Sequence, residues 1–134
     1  MSYKIHIPVK FPSFNEYIDE CRTHWRAGAK VAKKYKSLSA GYILQQINKD
    51  IRLSGGIDKP VILHFTWHEG NRKRDKSNVA YAKKFIEDAL VSVGILKDDG
   101  ADYVDGFTDK FEYGSDWGVT VEIEEARGRD DNKG

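Results

Sequence analysis

A chain of 134 residues with 40% hydrophobic and 12% aromatic content is about the size of one ordinary domain and can bury a core. Its apolar runs are only a few residues long and no charged segment precedes a long apolar one, which excludes a membrane span or secretion signal and makes a cytoplasmic protein the expectation. The net charge of +1 conceals two halves of opposite sign, so it excludes neither a polyanion nor a cation as partner.

In chain order, residues 3–9 alternate as a strand, and Pro12, Ser13 and Asn15 mark a turn after it. An irregular basic stretch follows. From residue 21 to 49 every charged side chain is a cation: Arg22, Arg26, Lys30, Lys33, Lys34, Lys36 and Lys49. Such a stripe grips phosphates or is solvated surface. The lone Cys21 can close no intramolecular disulfide and reads as a packed thiol. Residues 37–53 carry apolar side chains near helical spacing, with a start as early as Ala29 and a stop at Ser54, Gly55 and Gly56. The β-rich run from Val61 to Trp67 reads as a central strand ending at His68. The clearest helix spans residues 77–93, where Val79, Ala82, Ile86, Ala89, Leu90 and Val93 form one stripe, Asp75 or Ser77 caps the start and Gly94 follows the end. Two further strands, over 103–113 and 117–125, suggest a hairpin around Gly114, Ser115 and Asp116. The expected fold is α/β of the α+β type, a small mixed sheet of about four strands with two main helices. A single domain spans residues 1–126, and 127–134 form a disordered tail without apolar residues.

On a helix over 77–93, Ser77, Tyr81, Lys84 and Asp88 gather opposite the apolar stripe and are free to meet a ligand. Asp75 precedes that helix, and Asp98 and Asp99 lie a short loop beyond it. If the loop folds back, three carboxylates converge, a donor set that suits Mg²⁺ or Mn²⁺ with open water positions. Such an ion would bind a phosphodiester and activate water. Separately, an Asp before a helix is a common cap and Asp-Asp-Gly a common turn.

Taken together, RDKSN at 74–78, AKKFIEDAL at 82–90, VGILKDD at 93–99 and PSFNEY at 12–17 are similar to the signature of RusA-like Holliday junction resolvases. The resemblance spans most of the chain. It implies a RusA-like fold and a Mg²⁺-dependent homodimer that nicks four-way DNA junctions symmetrically in recombination and repair. Carried over by position, Asp75, Asp98 and Asp99 are catalytic and metal-holding, and Lys84, four residues before Asp88, is the catalytic lysine at the scissile phosphate. Asn78, with Asn15 in the N-terminal turn, lies against DNA. Arg22, Arg26, Lys30, Lys33 and Lys34, with Arg72, Lys73 and Arg74, would bind its backbone. Two features depart from the pattern. The stretch leading into the helix is about three residues longer, which leaves Lys83 as a rival to Lys84; helix geometry favours Lys84. Ser77 stands where the family has its second Asp and offers a neutral hydroxyl to the metal.

A non-catalytic junction-binding homologue that lost cleavage through Ser77 is the alternative, and an interaction module with an acidic face a third. Two symmetric nicks require two sites, hence a homodimer. A bacterial or phage source fits a nuclease domain this small. His64 and His68 share a strand face but lack a third ligand. Trp25, Trp67 and Trp117 read as core or dimer anchors rather than base platforms.

Overall fold

The computed structural model describes residues 2–47 and 56–126. The expected tail, the end of the first long helix and most of its Ser54-Gly55-Gly56 stop lie outside the described residues. The elements in chain order are β1 (Ser2–Ile7), α1 (Phe14–Thr23), α2 (Trp25–Ile47), β2 (Val61–Glu69), α3 (Lys76–Ala80), α4 (Lys83–Ser92), β3 (Val104–Tyr113) and β4 (Gly118–Glu125). They form an α+β fold on a four-stranded mixed sheet of order β1-β4-β2-β3. Among the described residues no helix is long and apolar enough to cross a membrane.

Strand β2 is central because Val61, Leu63, Phe65 and Trp67 alternate along one face, each at most 1% exposed. Ile5 and Ile7 of β1 and Val121 and Ile123 of β4 extend that face. Onto it α2 packs through Ile43 and Ile47, and α4 through Phe85, Ile86, Ala89 and Leu90. The opposite face carries His64, Thr66, Thr108, Lys110, Thr120 and Glu122 around an open hollow.

The hairpin expected from residues 103–125 does not form. β3 pairs parallel with β2, and β4 pairs antiparallel with β2 on its other side and with β1. Four residues, 114–117, carry the chain across the end of β2. The crossing spans two strand spacings, about 10 Å, which so short a link can reach. Gly114 donates its N–H to the Glu69 carbonyl at 2.9 Å, and Gly70 lies so close to the Trp117 indole that a β-carbon there would collide with it. A strand as apolar as β2 is stabilised by neighbours on both edges, whereas β3, with Asp105, Asp109, Lys110 and Glu112, suits an edge.

The N-terminal helices also depart from expectation. Residues 14–23, read as a turn and irregular stretch, form α1, and α2 starts at Trp25 rather than at 29 or later. The cause is a capping box. Ser13 Oγ accepts from the Glu16 N–H at 3.2 Å, and Glu16 Oε1 accepts from the Ser13 N–H at 3.0 Å. The Ser-x-x-Glu spacing was visible in the sequence. Cys21 is a free thiol against Gly28, where a β-carbon would overlap its sulfur, so α1 and α2 approach closely there.

The stretch read as one helix over 77–93 is two. Around Tyr81 and Ala82 the backbone turns through three-residue bonds: Ala82 N–H to Val79 at 3.2 Å, Lys84 N–H to Tyr81 at 3.2 Å and Phe85 N–H to Ala82 at 3.0 Å. Such bonds advance the chain by about 120° per residue rather than about 100°, so a face projected straight through them is rephased. Tyr81, expected on the exposed side, packs against Phe14, Tyr17 and Phe85 at ring separations of 5.3, 5.8 and 5.6 Å. The end of α4 is as expected. Gly94 takes φ +86° after the cap residue Val93, its N–H bonds Val91 O and the Ile95 N–H bonds Leu90 O, both at 3.0 Å, which is a Schellman motif.

Candidate functional site

All the motif residues from Asp75 to Asp99 lie on the single connection that carries the chain from β2 through α3 and α4 to the parallel strand β3. Ligand sites in parallel α/β units collect at the carboxyl ends of strands, and Asp75 lies just past that end of β2. It occupies the N-cap position of α3 with extended backbone, φ −70° and ψ 142°, as expected. Its side chain makes no capping bond and is exposed.

The rephasing at Tyr81 separates Ser77 from Lys84. Ser77 lines a hollow of about 450 Å³ between α3 and β3, together with Lys76, Tyr81, Lys83, Asp109 and Phe111. Lys83 Nζ bonds Asp109 Oδ2 at 2.6 Å, and the Trp67 indole N–H donates to Asp109 Oδ1 at 2.8 Å. This fixed carboxylate was missed in the sequence. Its signal was the period-2 position of Asp109 on the same side of its strand as Phe107 and Phe111. Lys84 instead turns to Asp88 and Asp99, which with Lys36 bound a second hollow of about 240 Å³. Its ammonium bonds Asp99 and lies 3.2 Å from Asp88. The Asp99 bond raises the Lys84 pKa above its ordinary value, and the same bond lowers that of Asp99. The helical projection that preferred Lys84 over Lys83 beside Ser77 therefore fails, and Lys83 is the lysine there.

Asp98 is exposed and its Oδ1 accepts the Asp99 N–H at 2.9 Å, so it shapes its own turn. Among the described residues no three His, Cys, Asp or Glu side chains gather as a metal-binding group. Asp75, Asp98 and Asp99 are not among such a group, and Asp99 is already paired with Lys84. His64 and His68 share the open sheet face but bond separately, His64 to Glu124 at 2.9 Å and Thr108 at 2.7 Å, His68 to Thr120 at 2.8 Å.

The cations divide into two groups. Arg26, Lys30, Lys33 and Lys34 fall four, three and one residues apart on α2, which places them on one exposed helical face, with Arg22 at the end of α1. None of the five pairs with a carboxylate among the described residues, and Trp25 stands 72% exposed beside them with Arg26 over its ring at 4.8 Å. Trp25 is thus no core anchor, whereas Trp67 is. Arg72 and Lys73 are exposed on the loop before α3, as are Asn15 on α1 and, partly, Asn78 on α3. Arg74, expected to meet DNA, turns inward. It forms a two-pronged pair with Glu69, Nε to Oε1 at 2.9 Å and Nη2 to Oε2 at 2.8 Å, while Nη1 donates to the Phe11 carbonyl at 2.7 Å. Glu69 is 3% exposed, so this pair ties the PSFN segment and the Asp75 loop to the end of β2 rather than reaching solvent. No protein-family model matches the chain, and no curated protein matches its sequence.

Proposed function

We propose that the chain is a structure-selective endodeoxyribonuclease of the RusA-like kind, acting as a homodimer on four-way DNA junctions. The observation that carries this reading is the arrangement of cations and motif on one scaffold. Five basic side chains without a carboxylate partner among the described residues line α1 and α2, and the Arg72-Lys73 loop leads into Asp75 after the carboxyl end of the central strand. A second support is the helix break. The stretch leading into α4 is about three residues longer than in the resembled pattern, and the turn at Tyr81 and Ala82 provides a place for such an insertion without disturbing the α4 core face.

Mg²⁺ or Mn²⁺ is part of this proposal, with Asp75, Asp98 and Asp99 as its carboxylates. Bound there, the ion would activate a water and neutralise charge on the phosphodiester. The chain's own contribution is phosphate binding by Arg72, Lys73 and the α1–α2 face. The second reading, junction binding without cleavage, is favoured by two observations: Ser77 brings no charge, and Asp99 is occupied by Lys84.

The test is a labelled four-way junction incubated with Mg²⁺ or Mn²⁺ and the wild type, Asp75→Asn or Ser77→Asp protein. Nicking by the wild type, lost by at least about 100-fold in Asp75→Asn, is the expected result. Cleavage by Ser77→Asp alone would establish the binding-protein reading. Absence of junction binding even at low salt would overturn both.

A further inference from the structure

Strand β3 is an edge strand, and the side it turns toward the helices carries Phe107, Phe111 and Tyr113. Each of these rings has a cation from the preceding connection over it. Lys83 lies 4.3 Å from the Phe107 centroid, Lys76 5.9 Å from Phe111 and Arg72 4.3 Å from Tyr113. Phe107 is 51% exposed, unusual for so large an apolar side chain. The hollow of about 450 Å³ between α3 and β3 opens beside Phe111 and between Lys76 and Lys83. Its one carboxylate, Asp109, is compensated by Lys83 and the Trp67 indole N–H.

We infer that this groove binds an unpaired strand of DNA, with bases stacked on Phe107 and Phe111 and phosphates taken by Lys76 and Arg72. Aromatic rings in a row, each within one side-chain length of a cation, are what sequence-tolerant single-strand binding requires: a π-face for each base and a charge for each phosphate. Successive rings at Phe107 and Phe111 lie about 13 Å apart along the strand, so they receive separated rather than mutually stacked bases. In the free chain Lys76 and Arg72 rest over Phe111 and Tyr113, while Lys83 is held by Asp109. A phosphate is the stronger partner for a cation and draws it aside, which opens the ring to a base. Charge complementarity selects a polyanion over an apolar peptide as the occupant. The inference rests on the junction-nuclease reading only in choosing DNA, since strands at a branch point are where bases come unpaired.

The test measures binding of a fluorescent twelve-residue oligothymidylate and of a fully paired duplex to the full chain, at low salt and without added metal. Phe107→Ala, at an exposed position, is expected to weaken oligothymidylate binding about tenfold and leave duplex binding unchanged. Lys76→Ala is expected to weaken it too and to flatten its salt dependence by about one unit of slope. Circular dichroism confirms that both variants are folded. Equal oligothymidylate affinity for wild type and Phe107→Ala overturns the groove, as does binding of an oligouridylate but not of the oligothymidylate. If junction binding and nicking fail while the Phe107-dependent binding persists, the nuclease reading falls and the groove stands. Intact nicking with no effect of Phe107→Ala on oligothymidylate binding is the converse.

Discussion

Arg74 shows how a residue that reads as a surface cation in the sequence can be held inside the fold. In the sequence it completes a basic triplet with Arg72 and Lys73, yet its guanidinium is held by Glu69 and the Phe11 carbonyl, with the Trp117 ring at 5.2 Å. Removing one member of a buried pair strands the other, so Arg74→Ala is expected to lower unfolding free energy by about 3–5 kcal/mol, measured by urea denaturation. Arg72→Ala, at an exposed position, should leave stability nearly unchanged and weaken DNA binding. Glu87 makes a second case. It is 8% exposed on α4, and burial raises its pKa above the ordinary carboxylate value. A raised acid pKa means the unfolded chain gives up this proton first, so this residue's contribution falls as pH rises from its unfolded pKa through its folded one. Glu87→Gln is therefore expected to raise the melting temperature at pH 7, with the gain shrinking toward pH 4. A gain that grew on acidification would contradict the assignment. The identities of these residues were legible in the sequence; their partners were not, because Glu69 reads as the residue just past a strand and Phe11 acts only through its carbonyl.

At the scale of elements, legibility followed local signals. Gly94 was readable because only a residue without a β-carbon adopts φ +86° without strain, and it follows an apolar stripe. Gly94→Ala is expected to cost about 1 kcal/mol, detectable as a lower denaturation midpoint. α1 was equally readable from Ser13 and Glu16 and went unrecognised because Pro12, Ser13 and Asn15 also suit a turn. Ser13→Ala should cost about 1 kcal/mol, since it removes one half of a reciprocal cap. The break between α3 and α4 left no comparable signal. Tyr81 and Ala82 fit a continuous helix by spacing, and what interrupts it is tertiary: the Tyr81 ring docks among Phe14, Tyr17 and Phe85. That one turn moves Lys83, rather than Lys84, beside Ser77, so the candidate site was legible in its residues and not in their grouping.

For the whole molecule, fold class and strand number followed from pattern, while the order of strands did not. The link at 114–117 looks like a hairpin turn, and only the need of β2 for neighbours on both edges sends β4 to its far side. The same topology leaves β3 as an edge and packs α4 of the motif connection against α2, whose basic face is exposed. Binding to DNA should accordingly weaken steeply with salt. Replacing Lys30 or Lys33 by alanine is expected to reduce the salt slope by about one unit each, with little change in stability. An unchanged slope would remove α2 from the DNA surface.

The central claim is structure-selective cleavage, and the most direct measurement maps nicks on a four-way junction labelled in turn on its two opposing strands, with a linear duplex of the same sequence as comparison. In Mg²⁺ or Mn²⁺ the account predicts matched nicks at symmetric positions near the branch and none in the duplex. Equal cutting of junction and duplex, or an intact junction under conditions where the protein is fully bound to it, would contradict it.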